Sequence, residues 1–139
     1  MNAELARKVD EAIDSCIRTG SLSDPTSFER CDGELAELEG QLLSHPEARA
    51  LLQRVRAHRV LLFSETGRHE QVLRQSDLFL RDAEHFDSLD LSNVALLRIR
   101  SLHALGSHDA EVDEALSFSD MPSIHGSSLL ALLEFVMKR

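Results

Sequence analysis

Residues 60–72 read Val60-Leu-Leu-Phe-Ser-Glu-Thr-Gly67-Arg-His69-Glu70-Gln-Val, and residues 99–111 read Ile99-Arg-Ser-Leu-His-Ala-Leu-Gly106-Ser-His108-Asp109-Ala-Glu. In both stretches, which lie 39 residues apart, an apolar helical run ends at Gly-x-His followed by an acidic residue. Glycine adopts the left-handed conformation that ends a helix, so each stretch predicts a turn between two antiparallel helices. A repeat of such hairpins indicates a stack in which neighbouring hairpins bury their apolar faces on one another.

The composition favours an all-α fold. The chain has 139 residues, no Trp, no Tyr and only 4% aromatic residues, and it is rich in Leu, Ala, Arg and Glu, which favour helices. We therefore expect a single all-α domain, a right-handed stack of about seven helices. Its predicted parts are an N-terminal hairpin over residues 1–46, two hairpins over residues 47–119 and an apolar helix over residues 120–139.

The charge and hydropathy of the chain exclude several function classes. A net charge of −9 argues against nucleic acid as a ligand, because phosphate binding needs a basic surface. No apolar run reaches the length that spans a bilayer, and the N-terminal segment is charged rather than signal-like, so a cytoplasmic protein without membrane contact is expected. The acidity either keeps the protein soluble or suits a basic partner.

The second predicted helix has a strict apolar seam. Its members are spaced three, four, three and four residues apart, as two helices packed side by side require: Phe28, Cys31, Leu35, Leu38 and Leu42. The acidic residues Glu34, Glu37 and Glu39 are predicted to lie on the opposite, solvated face, where carboxylates do not serve as general acids or bases.

Neither the cysteines nor the histidines form a recognisable catalytic or metal motif. Cys16 and Cys31 are predicted to be reduced, buried thiols. His103 and His108 straddle the predicted turn at Gly106, so turn capping and exposure are favoured over metal ligation. No catalytic residue, metal or cofactor is predicted, and the chain is not expected to be an enzyme.

The third predicted helix carries a cluster of basic residues. Arg49, Arg54, Arg56 and Arg59 fall on two faces of the third predicted helix, and this scatter favours pairing with the acidic helices over phosphate binding.

The segment from Ala48 to Phe118 resembles tetratricopeptide (TPR) repeats. Gly67 and Gly106 match the glycine that ends helix A of the family, while His69 and His108 stand where the family prefers Tyr. The chain departs from the pattern at Val72 and Glu111, where the family has a small Ala, in a helix A without Trp, and in a period of 39 rather than 34 residues. The resemblance implies a helical module that binds proteins.

The TPR register implies a partner-binding surface on the two A helices. Its positions are Arg54, Ala57, Leu61, Ser64, Asn93, Leu96, Arg100 and His103. The chain is also similar in size and helical layout to the small TPR-like chaperones of type III secretion needle subunits, which implies a helical client held in a groove.

The predicted last helix is apolar on every side. From Leu129 to Met137 the only polar residue is Glu134, whereas the end of a stack normally keeps a polar outer face. Phe135 and Met137 are therefore candidate contacts for a client or for a second copy of the chain, unless this helix is sandwiched within the domain.

Three functions remain open from the sequence, the third being a cryptic hydrolase or a metal protein that uses the histidines and would carry bound metal when purified. The first is a scaffold or chaperone that sequesters a helical partner, whose binding would survive high salt. The second is an acidic inhibitor of the immunity or antitoxin type that blocks a basic toxin, whose binding would weaken steeply with salt.

Overall fold

The computed structural model describes residues 3–18, 25–82 and 88–119, and these residues form an all-α fold. The helices are α1 (Ala3–Arg18), α2 (Pro25–Leu43), α3 (Arg49–Glu65), α4 (His69–Arg81), α5 (Ser88–Ala104) and α6 (His108–Ser119), and a short 3-10 turn, Pro46–Ala48, leads into α3. The predicted seventh helix, with Phe135 and Met137, lies outside the described residues. None of the described helices is long and apolar enough to cross a membrane.

Each helix packs against the next along the chain, and α3 lies at the centre of the described fold. It contacts α1, α2, α4 and α5, while α6 packs on α5. The predicted seam of α2 is confirmed, since all five of its apolar residues are buried in the main core. A smaller cluster joins α5 to α6 through Ala95, Ile99, Ala115 and Phe118.

The two predicted glycine turns are confirmed and share one geometry. Gly67 and Gly106 have φ values of 73° and 79°, in the left-handed region. In the first turn, Arg68 N–H donates to the Phe63 carbonyl, and in the second, Ser107 N–H donates to the Leu102 carbonyl. These bonds close the helix ends and direct α4 and α6 back along α3 and α5.

The repeat extends beyond the turns into the core. Positions 39 residues apart in the α3–α4 and α5–α6 hairpins are buried in pairs: Leu52 with Leu91, Val55 with Val94, Val60 with Ile99, Phe63 with Leu102, and Phe79 with Phe118. The chemistry differs in four further buried pairs, each with one apolar and one polar or charged member: Arg56 with Ala95, Leu62 with Ser101, Val72 with Glu111, and Ser76 with Ala115.

The arginines of α3 are held by carboxylates, as predicted. Arg49 and Arg56 both contact Asp82, Arg54 contacts Asp10 of α1, and Arg59 contacts Asp32. Because α3 is central, these ion pairs connect it with its neighbours on several sides.

The expectation that Glu39 lies on a solvated face is wrong. Glu39 is 8% exposed, and its Oε1 atom lies 2.9 Å from Nη1 of Arg59 and accepts a hydrogen bond of 2.8 Å from Nε2 of Gln75. Its Oε2 atom lies 3.6 Å from Nε of Arg56. Helix α3 packs on α2, and Arg59 of α3 and Gln75 of α4 both reach Glu39, so a side chain beside the apolar seam becomes buried, whereas Glu37 stays exposed.

The two cysteines are free thiols, as expected, with Cys31 buried and Cys16 half-buried. Burial, together with a hydrogen bond between the two thiols and the charge of Cys31, raises the pKa of the Cys16 thiol to about 12. The thiol therefore stays protonated and poorly nucleophilic at neutral pH.

Candidate functional site

A groove runs between α3 and α5, with a volume of about 240 Å³. It is lined by Ala57, His58 and Leu61 from α3 and by Asp90, Asn93, Leu96, Leu97 and Arg100 from α5. The two helices pack against each other, and all of the lining residues come from them rather than from α4 or α6. We call this feature the α3–α5 groove.

The α3–α5 groove combines apolar contact area with a few polar groups. Ala57 and Leu97 are buried beneath it, while the side chain of Leu61 remains 38% exposed. Arg100 is exposed at the end nearer the Gly106 turn, and Asp90 stands near the opposite end of α5. Such a surface suits an apolar side chain flanked by a charged or hydrogen-bonding one.

His58 is a half-buried titratable group that lines this groove. Burial, with a smaller contribution from the neighbouring charge of Arg54, lowers the pKa of His58 below its ordinary value of 6.5. At neutral pH the groove therefore has an uncharged imidazole on one wall.

The structure brings together some of the predicted binding residues and separates others. Leu61, Leu96 and Arg100 line the α3–α5 groove, together with Ala57 and Asn93. Arg54 instead pairs with Asp10, and Ser64 is half-buried and does not line the groove. Phe135 and Met137 lie outside the described residues.

Sequence reasoning missed three residues of the groove. Asp90 lies about one helical turn before Asn93 on the same face of α5. Continuing the predicted spacing of binding residues toward the N-terminus of α5 would therefore have identified it. His58 and Leu97 lie next to predicted positions, and only the closeness of α3 to α5 brings them into the lining.

A second, more open groove lies between α1 and α2, with a volume of about 420 Å³. Glu11, Glu34 and Glu37 line it, with Lys8 as the only basic residue among those lining it. We call this feature the acidic α1–α2 groove.

The last predicted binding residue, His103, belongs to a cluster at the α5–α6 turn. Its Nδ1 atom lies 3.1 Å from Oε1 of Glu111, and Nδ1 of His108 lies 3.3 Å from the same oxygen. Both imidazoles are about half exposed, whereas the side chain of Glu111 is fully buried. The turn at Gly106 thus joins two histidines that the sequence separates.

None of the protein-family models, curated proteins or solved structures compared with the chain gives a significant match. The features of the described residues that could serve a function are the α3–α5 groove, the acidic α1–α2 groove and the cluster at the α5–α6 turn.

Proposed function

We propose that this chain is a non-enzymatic protein-interaction module that holds an amphipathic helix of a partner protein in the α3–α5 groove. The observation that carries the proposal is the position of Leu61 and Leu96, which the TPR register assigns to the binding surface and which line this groove. A chaperone or scaffold in the cytoplasm, including a secretion chaperone, is the function that this binding mode serves.

The dimensions of the α3–α5 groove favour a helix as its occupant. A volume of about 240 Å³ is smaller than the roughly 300–1,000 Å³ typical of small-molecule sites. It accommodates one or two side chains, and an amphipathic helix offers apolar residues at i, i+3 or i+4 and i+7 for this purpose. The exposed Arg100 would then face an acidic residue beside those anchors.

We extend the proposal to the architecture, a right-handed TPR-like stack closed by a seventh helix over residues 124–138. The common register of buried residues in α3–α4 and α5–α6, and their identical turns, support such a stack. In this arrangement Phe135 and Met137 provide additional contacts to the client or to a second copy of the chain.

The test begins with a displayed library of amphipathic helical peptides, from which peptides that bind the full chain are selected. The affinity of a labelled, selected peptide is then measured by titration. Leu61→Glu should weaken binding by more than tenfold, since it places a charge at the apolar wall. The matched control is Leu43→Glu, because Leu43 is 51% exposed on α2, away from the groove. Raising salt from about 0.1 to 0.5 M should change the affinity less than threefold, because apolar burial dominates.

Equal loss of binding in the Leu61→Glu and Leu43→Glu variants would contradict the groove as the binding site. Circular dichroism of each variant is needed to confirm folding, and both substitutions are at exposed positions that a glutamate tolerates in a helix.

The acidic α1–α2 groove supports a second candidate function, inhibition of a basic toxin. A cationic segment would meet Glu34 and Glu37 there, and its association rate would fall steeply with salt. A lysine-rich helical peptide distinguishes the two functions. Its binding should be lost in Glu34→Gln/Glu37→Gln and retained in Leu61→Glu if the inhibitor proposal holds.

A further inference from the structure

We propose that His103, His108 and Glu111 bind a divalent transition-metal ion, of which Zn²⁺ is the best-suited example, at the turn that joins α5 to α6. The site is independent of the α3–α5 groove, and its ligands lie on either side of Gly106.

The distances among the ligand atoms fit a metal-bound arrangement. Zn²⁺ holds nitrogen and oxygen ligands at roughly 2.0–2.2 Å, so two ligands of a tetrahedral site lie roughly 3.3–3.6 Å apart. The two imidazole nitrogens lie 3.1 and 3.3 Å from Oε1 of Glu111. The ligand atoms of all three residues lie within 4.8 Å of one another, so small rotations of the two exposed imidazoles complete the geometry.

The burial of Glu111 is a second reason to expect a cation. Glu111 occupies the position that Val72 occupies in the preceding hairpin, and both side chains are 0% exposed. Valine fills that position with no electrostatic cost, whereas an ionised carboxylate there requires compensation by positive charge. The two imidazoles contribute hydrogen bonds, and a bound cation shared by all three residues would neutralise the carboxylate more completely.

The donor set selects the class of metal. Two imidazoles and one carboxylate suit zinc and its neighbours in the first transition series, while calcium and magnesium prefer oxygen ligands throughout. Three protein ligands leave further coordination positions for water. The ion would connect the last turn of α5, through His103, to the first turns of α6, through His108 and Glu111, and so stabilise the hairpin.

The test is titration of the full chain, freed of metal by chelator, with Zn²⁺ in a calorimeter and with Co²⁺ by visible absorption. One ion should bind per chain with micromolar or tighter affinity, and Co²⁺ should give the intense absorption of a four- or five-coordinate site. At about 100-fold excess over the dissociation constant, Zn²⁺ should raise the melting temperature by roughly 5–10 °C.

His103→Ala and His108→Ala should each weaken Zn²⁺ binding at least tenfold and reduce the thermal shift. Both histidines are half exposed, so these variants keep the fold even if a Glu111 variant does not. The matched control is His45→Ala, because His45 contacts Glu47 at a separate place on the surface and its loss should leave the affinity unchanged.

Two results would overturn the proposal. One is no detectable binding of Zn²⁺ at 100-micromolar concentration near pH 7.5, which would mean that the imidazoles only donate hydrogen bonds to the Glu111 carboxylate. The other is undiminished binding by the His103→Ala/His108→Ala double variant, which would place the ion on other histidines of the chain.

Discussion

Glu39 accepts contacts from three residues on two helices. Arg56 and Arg59 come from α3 and Gln75 from α4, so one carboxylate of α2 connects the first described hairpin with the second. A buried ion pair of this kind adds little net stability relative to apolar packing. Removing Glu39 leaves each guanidinium group with one carboxylate, Asp82 for Arg56 and Asp32 for Arg59. Arg56 is only 6% exposed, so water has little access to replace the contact with Glu39, although Asp82 still pairs with this guanidinium.

The first prediction concerns this carboxylate. Glu39→Gln should lower the free energy of unfolding by about 1–2 kcal/mol, because two buried guanidinium groups lose a shared anion while Arg56 keeps Asp82 and Arg59 keeps Asp32. Glu37→Gln on the exposed face of the same helix should change it by less than about 0.5 kcal/mol. Urea denaturation of both variants measures the difference, and equal effects would contradict the role assigned to Glu39.

At the scale of the helix and turn, glycine has two opposite roles in this chain. Gly67 and Gly106 end helices with positive φ, where a β-carbon is strained even though no atom beyond the adjoining residues lies within 4 Å of it. Gly33 and Gly40 lie inside α2, where a β-carbon also has open space but the backbone conformation is helical. The same substitution should therefore have opposite signs at the two kinds of position.

The second prediction follows from this contrast. Gly67→Ala and Gly106→Ala should each destabilise the protein by about 1–2 kcal/mol, the penalty for a left-handed non-glycine residue. Gly33→Ala and Gly40→Ala should each stabilise it by about 0.5–1 kcal/mol, because alanine is the better helix former. Thermal and urea unfolding of the four variants measure these changes in stability. Destabilisation of the protein by Gly33→Ala would contradict the prediction.

At the scale of the whole molecule, the burial of His58 in the folded protein lowers the pKa of its imidazole. The unfolded chain binds a proton on this imidazole at the ordinary value of 6.5, whereas the folded protein binds it only at lower pH. The lowered pKa of His58 therefore contributes stability to the folded state that is fully present above pH 6.5. This contribution to the free energy of unfolding is lost as the pH falls from 6.5 through the pKa of the folded protein.

The third prediction is that His58→Gln reduces the acid sensitivity of the fold. Wild-type stability should fall between pH 7 and pH 5 more than that of the variant, since the variant lacks this proton uptake on unfolding. Unfolding free energies at several pH values measure the two slopes. The carboxylates that also titrate in this range are common to both proteins, so identical slopes would contradict the assignment to His58.

The all-α fold and its two turns were predictable because they depend on local chemistry. Gly67 and Gly106 are followed by residues that begin a helix, and the seam of α2 repeats at helical spacing over five positions. The pairing of the α3 arginines with acidic helices was also predictable, because opposite charges were abundant on neighbouring segments. The resemblance to TPR repeats implied that Leu61, Leu96 and Arg100 belong to one surface. In the structure these three residues line one groove.

The sequence by itself determined where the described helices lie, where Gly67 and Gly106 turn the chain, and which side of α2 faces the core, because these depend on contacts within a few residues. Only the tertiary structure decided that Glu39 is buried, that Arg54 pairs with Asp10 rather than lining the groove, and that His103 and His108 meet Glu111. The physical reason is that burial and ion pairing depend on the neighbouring helix. A side chain at the edge of an apolar stripe is exposed or enclosed according to how closely that helix packs.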